Sequence, residues 1–79
     1  MLEILLLSTT IHYSLPSPGW VTLGVYDLSG REVETLVDGE MAAGRHEAVW
    51  EAERKTSGPY LCRLRTERAT QIRKINLLK

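Results

Sequence analysis

Turn-forming clusters recur at short intervals along this chain: Pro16-Ser17-Pro18-Gly19, Ser29-Gly30, Asp38-Gly39, Ala43-Gly44 and Ser57-Gly58-Pro59. The segments between them are of strand length, which points to an all-β sandwich or barrel. The stretch 31–43 fits a helical wheel only loosely. Val33, Thr35 and Val37 favour a strand there, and Gly39 weakens any helix.

Alternation within the segments assigns faces. Ile11, Tyr13 and Leu15 share one side of Thr10–Leu15, and Val21, Leu23 and Val25 share the inner side of Trp20–Asp27. Gly24 falls on the opposite side, where bare backbone lets another group pack closely. His46, Ala48 and Trp50 lie on one face of Arg45–Trp50, and Tyr60, Cys62 and Leu64 on one face of the next strand. Two segments break parity. Val33, Leu36 and Val37 change side within Arg31–Val37, which indicates a bulge. Ile72 opposes Ile75 and Leu77 in Thr70–Leu78, so pattern alone leaves the buried face of the last strand open. The sharpest punctuation is VYDLSGREVETLV, residues 25–37, where Asp27 and Ser29 can bond to the turn backbone and Gly30 supplies a positive φ, pinning a hairpin.

A chain of 79 residues makes one domain with a thin core and no deep cleft between lobes. Ten basic and ten acidic side chains cancel, so bulk charge specifies no polyanionic partner. The distribution is uneven: residues 1–53 carry nine acids and two bases, residues 54–79 eight bases and one acid. Cross-strand pairing of late bases with early acids is the ordinary expectation; a basic C-terminal face docking on an acidic partner is the sharper one. The segment Glu51–Ser57 reads as a charged, solvated loop. The apolar run Ile4–Leu7 is too short to span a membrane, and with Glu3 and no basic flank it is a poor signal peptide.

Chemistry-bearing patterns are sparse. Cys62 is the sole cysteine and reads as a buried apolar side chain, with Arg63 on the other face. His12 and His46 have no second ligand at metal spacing, and no phosphate loop or nucleophile elbow occurs. Glu32 and Glu34, two apart on a strand, fit an edge kept soluble better than an acid–base pair. Trp20 and Trp50 either cap a small core or form a sugar-stacking platform. The basic stretch Arg63–Lys79 contains no aromatic residue, which argues against nucleic acid as a partner. These residues imply no enzyme and no cofactor.

Taken in order, Thr9–Pro16 (TTIHYSLP), Val21–Val37, Ala43–Trp50 (AGRHEAVW), Ser57–Leu64 (SGPYLCRL) and Lys74–Lys79 (KINLLK) resemble the type A C-terminal sorting domain of the type IX secretion system. The same set is similar to the Ig-like domain of the flagellar hook-capping protein. The resemblance implies a small Ig-like β-sandwich of about seven antiparallel strands over residues 9–79, placed at the end of a larger secreted protein. It implies a non-enzymatic function: directing cargo across the bacterial outer membrane, in transit through the periplasm to the cell surface or medium, with the outer-membrane secretion machinery or another protein as partner. Asp27, Gly30, Arg31, Gly44, Trp50, Gly58 and Tyr60 would be architectural. The signal would lie in the last strand, at Ile72, Lys74, Ile75, Leu77, Leu78 and Lys79. Alternatives are a structural Ig-like interaction module, as in the hook-capping protein or a surface adhesin, and a carbohydrate-binding appendage. Family members open on an N-P-F-N-P-like segment where residues 1–8 here are atypically apolar, which reads as a truncated start. That segment, or the edge strands, offers a route to a homodimer.

Overall fold

A computed structural model describes residues 8–77. The expectations for the apolar N-terminal segment, and for Leu78 and Lys79, therefore lie outside the described residues, except that Ser8 opens the first strand. The described chain is all-β, with six strands and no helix: β1 (Ser8–Leu15), β2 (Gly19–Tyr26), β3 (Glu32–Met41), β4 (Gly44–Glu51), β5 (Gly58–Arg65) and β6 (Thr70–Leu77). They form two antiparallel sheets, one of two strands in the order β1-β4 and one of four in the order β3-β2-β5-β6. The six segments marked by residue pattern are these six strands; the seventh implied by family resemblance has no counterpart among the described residues.

The chain shuttles between sheets. β1 lies in the small sheet, the β2–β3 hairpin in the large one, β4 in the small one, and the β5–β6 hairpin in the large one. The inner faces share the core. One cluster joins Tyr13 and Leu15 of β1 to Val21 and Leu23 of β2 and Cys62 of β5. The other joins Trp50 and Ala52 to Val25, Tyr60 and Leu77. The alternation read for β1, β2, β4 and β5 is thus realised, and Trp50 is the largest fully buried side chain.

The parity break in β3 has a structural cause. Leu23 faces Val37 while Gly24 faces Thr35, and Val25 faces Glu34 while Tyr26 faces Glu32, so Leu36 and Val33 are each extra residues in the ladder. Two bulges let Val33, Leu36, Val37 and Met41 all reach the core. They also separate the two glutamates: Glu32 stands opposite outward Tyr26 and Glu34 opposite inward Val25, so the pair does not share a face.

Several expectations change. Asp38-Gly39 is no turn; both residues lie inside β3, opposite Thr22 and Val21, because a continuous ladder with β2 outweighs local turn preference. A turn at Thr66–Ala69 went unmarked. There Thr66 Oγ1 accepts from the amides of Arg68 and Ala69, and the Thr66 amide donates to the Ala69 carbonyl at 2.9 Å. The segment after β4 is not wholly solvated, since Ala52 is fully buried and Tyr60 Oη donates to the Thr56 carbonyl at 2.7 Å. In β6, Leu77 is buried and Ile75 half-buried whereas Ile72 is exposed, which settles the face left open by the pattern.

The charge expectation is overturned as well. β5 and β6 pair with each other, and the other neighbour of β5 is β2, a strand without a charged residue. Late bases therefore do not sit beside early acids. The acidic strand β3 lies on the far side of β2 from them.

Candidate functional site

The β2–β3 turn is built as its residues dictate. Gly30 takes φ 91°, and its amide donates to the Asp27 carbonyl at 3.1 Å. Asp27 Oδ1 accepts from the Ser29 hydroxyl at 2.6 Å and from the Ser29 and Arg31 amides at 3.0 Å each. Arg31 Nε lies 3.4 Å from Asp27 Oδ2 on the exposed side. The Ser29 hydroxyl first, then the Arg31 and Ser29 amides and the Arg31 charge, hold the Asp27 carboxyl below its ordinary value. A carboxyl acidified by folding contributes stability that is present above its unfolded value of about 4 and lost as pH falls through the lower folded value. Asp27→Ala is therefore expected to lower the urea midpoint at neutral pH and to flatten its decline below about pH 4. Asp27→Asn keeps an acceptor for the amides but not the charge, so it is expected to lose less than Asp27→Ala at neutral pH and to lose the pH dependence alike. Urea melts across a pH series, with an NMR titration of the carboxyl, check both.

The other residues expected to be architectural lie at strand openings and in the core. Gly44 and Gly58 open β4 and β5 with φ of 115° and 141°. The Trp50 and Tyr60 rings meet edge to face, 5.1 Å between centroids at 69°. Trp50 Nε1 and Tyr13 Oη are buried without a hydrogen-bond partner. Trp50 being fully enclosed, the two tryptophans do not form a platform. Trp20 alone is at the surface, 49% exposed, with Nε1 donating to Asp38 Oδ1 at 2.9 Å.

Among the described residues, the polar side chains named in the sequence lie apart from one another. Burial pushes the Cys62 thiol up, and Arg63 points to the other face, so the thiolate is disfavoured. His12 and Glu47 face each other on the outside of the small sheet, Nδ1 to Oε1 3.5 Å. His46 stacks on its cross-strand partner Tyr13, 5.2 Å between centroids, and its Nε2 lies 2.6 Å from the Ala42 carbonyl. A cleft of about 230 Å³ at the Pro16–Pro18 turn is bordered by Trp20, Leu64 and the Thr66–Ala69 turn. A wider groove of about 940 Å³ runs between β1 and the inner side of β5 and β6, past Tyr13, Cys62 and Ile75.

Two surfaces carry organised side chains. The first is β6, an edge strand of the large sheet: Ile72 and Lys74 face outward, exposed, while Ile75 and Leu77 face the core. The expected sorting residues are thus divided between two faces. The second surface went unread except for one clue, the bare Gly24. Tyr26 lies over Gly24, so that a Cβ there would meet the Tyr26 ring at 3.1 Å. Arg63, directly opposite Gly24 on β5, sits 4.6 Å above the Tyr26 ring centre and donates from Nη2 to Tyr26 Oη at 2.6 Å. The two are 37 residues apart in the chain, and only the β2–β5 pairing brings them together.

Comparisons with family models, with curated proteins and with solved structures found no match to the chain.

Proposed function

We propose that this chain is a non-enzymatic C-terminal sorting or anchoring domain that directs a larger cargo protein across the bacterial outer membrane. In this reading the two sheets are an Ig-like sandwich, the partner is the outer-membrane secretion machinery, and the route runs through the periplasm to the cell surface or medium. The reading rests on the ordered resemblance, four of whose five pieces fall on described elements, while the fifth, Lys74–Lys79, begins in β6 and runs past the described residues. TTIHYSLP covers β1 and the residue after it, VTLGVYDLSGREVETLV the β2–β3 hairpin, AGRHEAVW β4, and SGPYLCRL the entry and body of β5. The carrying observation is that β6, the strand assigned the signal, is a sheet edge whose only fully buried side chain is Leu77. Such a strand opens at low cost, and its freed backbone can pair with a receptor strand.

The test fuses residues 9–79 behind a signal peptide and a fluorescent reporter, in a host with a type IX system and in a translocon-null strain. Reporter at the surface or in the medium of the competent host alone is the expected result, and removal of residues 75–79 abolishes it. Reporter held in the periplasm of both strains, with the domain folded, sinks the sorting reading. It would favour a structural Ig-like interaction module, for which the ordered Tyr26–Arg63 face is the supporting observation.

A further inference from the structure

Alternation and register place three acids on the outer face of the large sheet along β3, namely Glu32, Asp38 and Glu40. They place three bases on the same face along β5 and β6, namely Arg63, Arg65 and Lys74. Uncharged β2 lies between the two groups, which form no ion pair with each other. Their strands stand two to three spacings apart, roughly 10 to 14 Å, about the distance over which salt screens a charge, and of the acids Glu32 reaches inward, where a Cβ on Gly24 would meet its Oε1 at 3.2 Å. The face is thus negative at one margin, positive at the other, and ordered at its centre by the Tyr26–Arg63 stack over Gly24. Trp20 and Ile72, 49% and 52% exposed, lie on it too.

We infer that this face is self-complementary, and that two copies of the chain associate through it about a twofold axis parallel to the strands, between β2 and β5. That axis lays β3 of one copy over β6 of the other while keeping each residue at its own level. Glu32, Tyr26, Leu61 and Lys74 share one level across the sheet, so Glu32 meets Lys74 of the second copy, twice per dimer. Asp38, Thr22, Arg65 and Thr70 share another, so Asp38 comes over Thr70 of the second copy, next to its Arg65. A twofold axis across the strands would instead stack β3 on β3 and β6 on β6, setting like charges together. Edge-to-edge pairing fares no better: β3 with β3 and β6 with β6 repel, while β3 with β6 is head to tail and does not close. The two bulges of β3 also spoil that edge as a template. Four strands of about eight residues offer roughly 500 Å² per copy, at the small end of specific interfaces, so the dimer is transient and salt-dependent. Nothing in this inference depends on the sorting reading.

Sedimentation equilibrium of the full chain tests it, at about 20 mM and about 500 mM salt, where screening lengths differ severalfold. A dimer at low salt that dissociates at high salt is expected. Glu32→Lys and Lys74→Glu, both at exposed positions, should each raise the dissociation constant about tenfold or more, because each reversal acts twice across the axis. An equimolar mixture of the two variants should recover the wild-type value, since every introduced charge then meets its opposite. Circular dichroism establishes that both variants fold. A chain monomeric at low salt up to about 1 mM, far above a useful affinity, overturns the inference. So does a dimer indifferent to salt and to both reversals, as association through the apolar N-terminal residues would be, and so does a mixture that fails to recover.

Discussion

Trp50→Ala is expected to destabilise the domain by about 3–5 kcal/mol, enough to remove most of its stability at 25 °C. Trp50 is fully enclosed and is the largest side chain in the core. It comes from β4, in the small sheet, and its ring packs edge to face on Tyr60 of β5, in the large one. Its cluster also holds Val25, Ala52 and Leu77, so one ring ties β2, β4, β5 and β6 together. A domain this short has no second large aromatic residue at full burial to compensate, and its whole stability is on the order of 5 kcal/mol. Trp50→Phe separates volume from polarity. It leaves a smaller void and removes an indole N–H that is buried without an acceptor, so it should cost about half as much or less. Urea melts followed by circular dichroism measure both. A shift below about 1 kcal/mol for the alanine variant would mean that the small sheet is not held by this contact.

Legibility in the sequence followed the range of the interaction. Period-two alternation placed Ile11, Tyr13, Leu15, Val21, Leu23, Val25, Trp50 and Tyr60 correctly, because each strand has one core face and a single step would turn it outward. The turn at Asp27–Gly30 was legible because its bonds lie within four residues of one another. Asp38-Gly39 misled for the converse reason: a local turn preference yielded to a ladder whose partner strand lies 17 or so residues away. Ala52 was hidden among charges, and nothing local marks it as the residue that fills the space beside Trp50. The unequal halves of the charge sequence were plain, yet their placement was not, because strand order decides it and strand order is not a local property. The same holds for the Tyr26–Arg63 face, of which only Gly24 gave a sign. Trp20 and Trp50, alike as residues in a strand, part company on one fact of parity: residue 20 faces out and residue 50 faces in.

The largest contrast within one strand is expected in β6. Leu77→Asp should cost about 3 kcal/mol or more, while Ile72→Asp should stay within about 0.5 to 1 kcal/mol. Leu77 is 3% exposed against Val25, Trp50, Ala52 and Tyr60, and a carboxylate there gives up its hydration with no positive charge among those residues to offset it. Ile72 is 52% exposed on the outer face, opposite Arg63, which offers a carboxylate an opposite charge. The two substitutions differ in where they act as well as in size. β6 is an edge, hydrogen-bonded on one side to β5, so losing its one buried anchor should free the strand before the rest of the sheet opens. Amide exchange should then accelerate along residues 70–77 in Leu77→Asp and remain slow in β2, the central strand paired on both sides. Exchange that quickened equally in β2 and β6 would show one cooperative unit, and the terminal strand could not be the separable element a receptor strand replaces. Exchange confined to β6 would give the sorting proposal the physical step it needs: a strand that leaves its sheet while the domain stays folded.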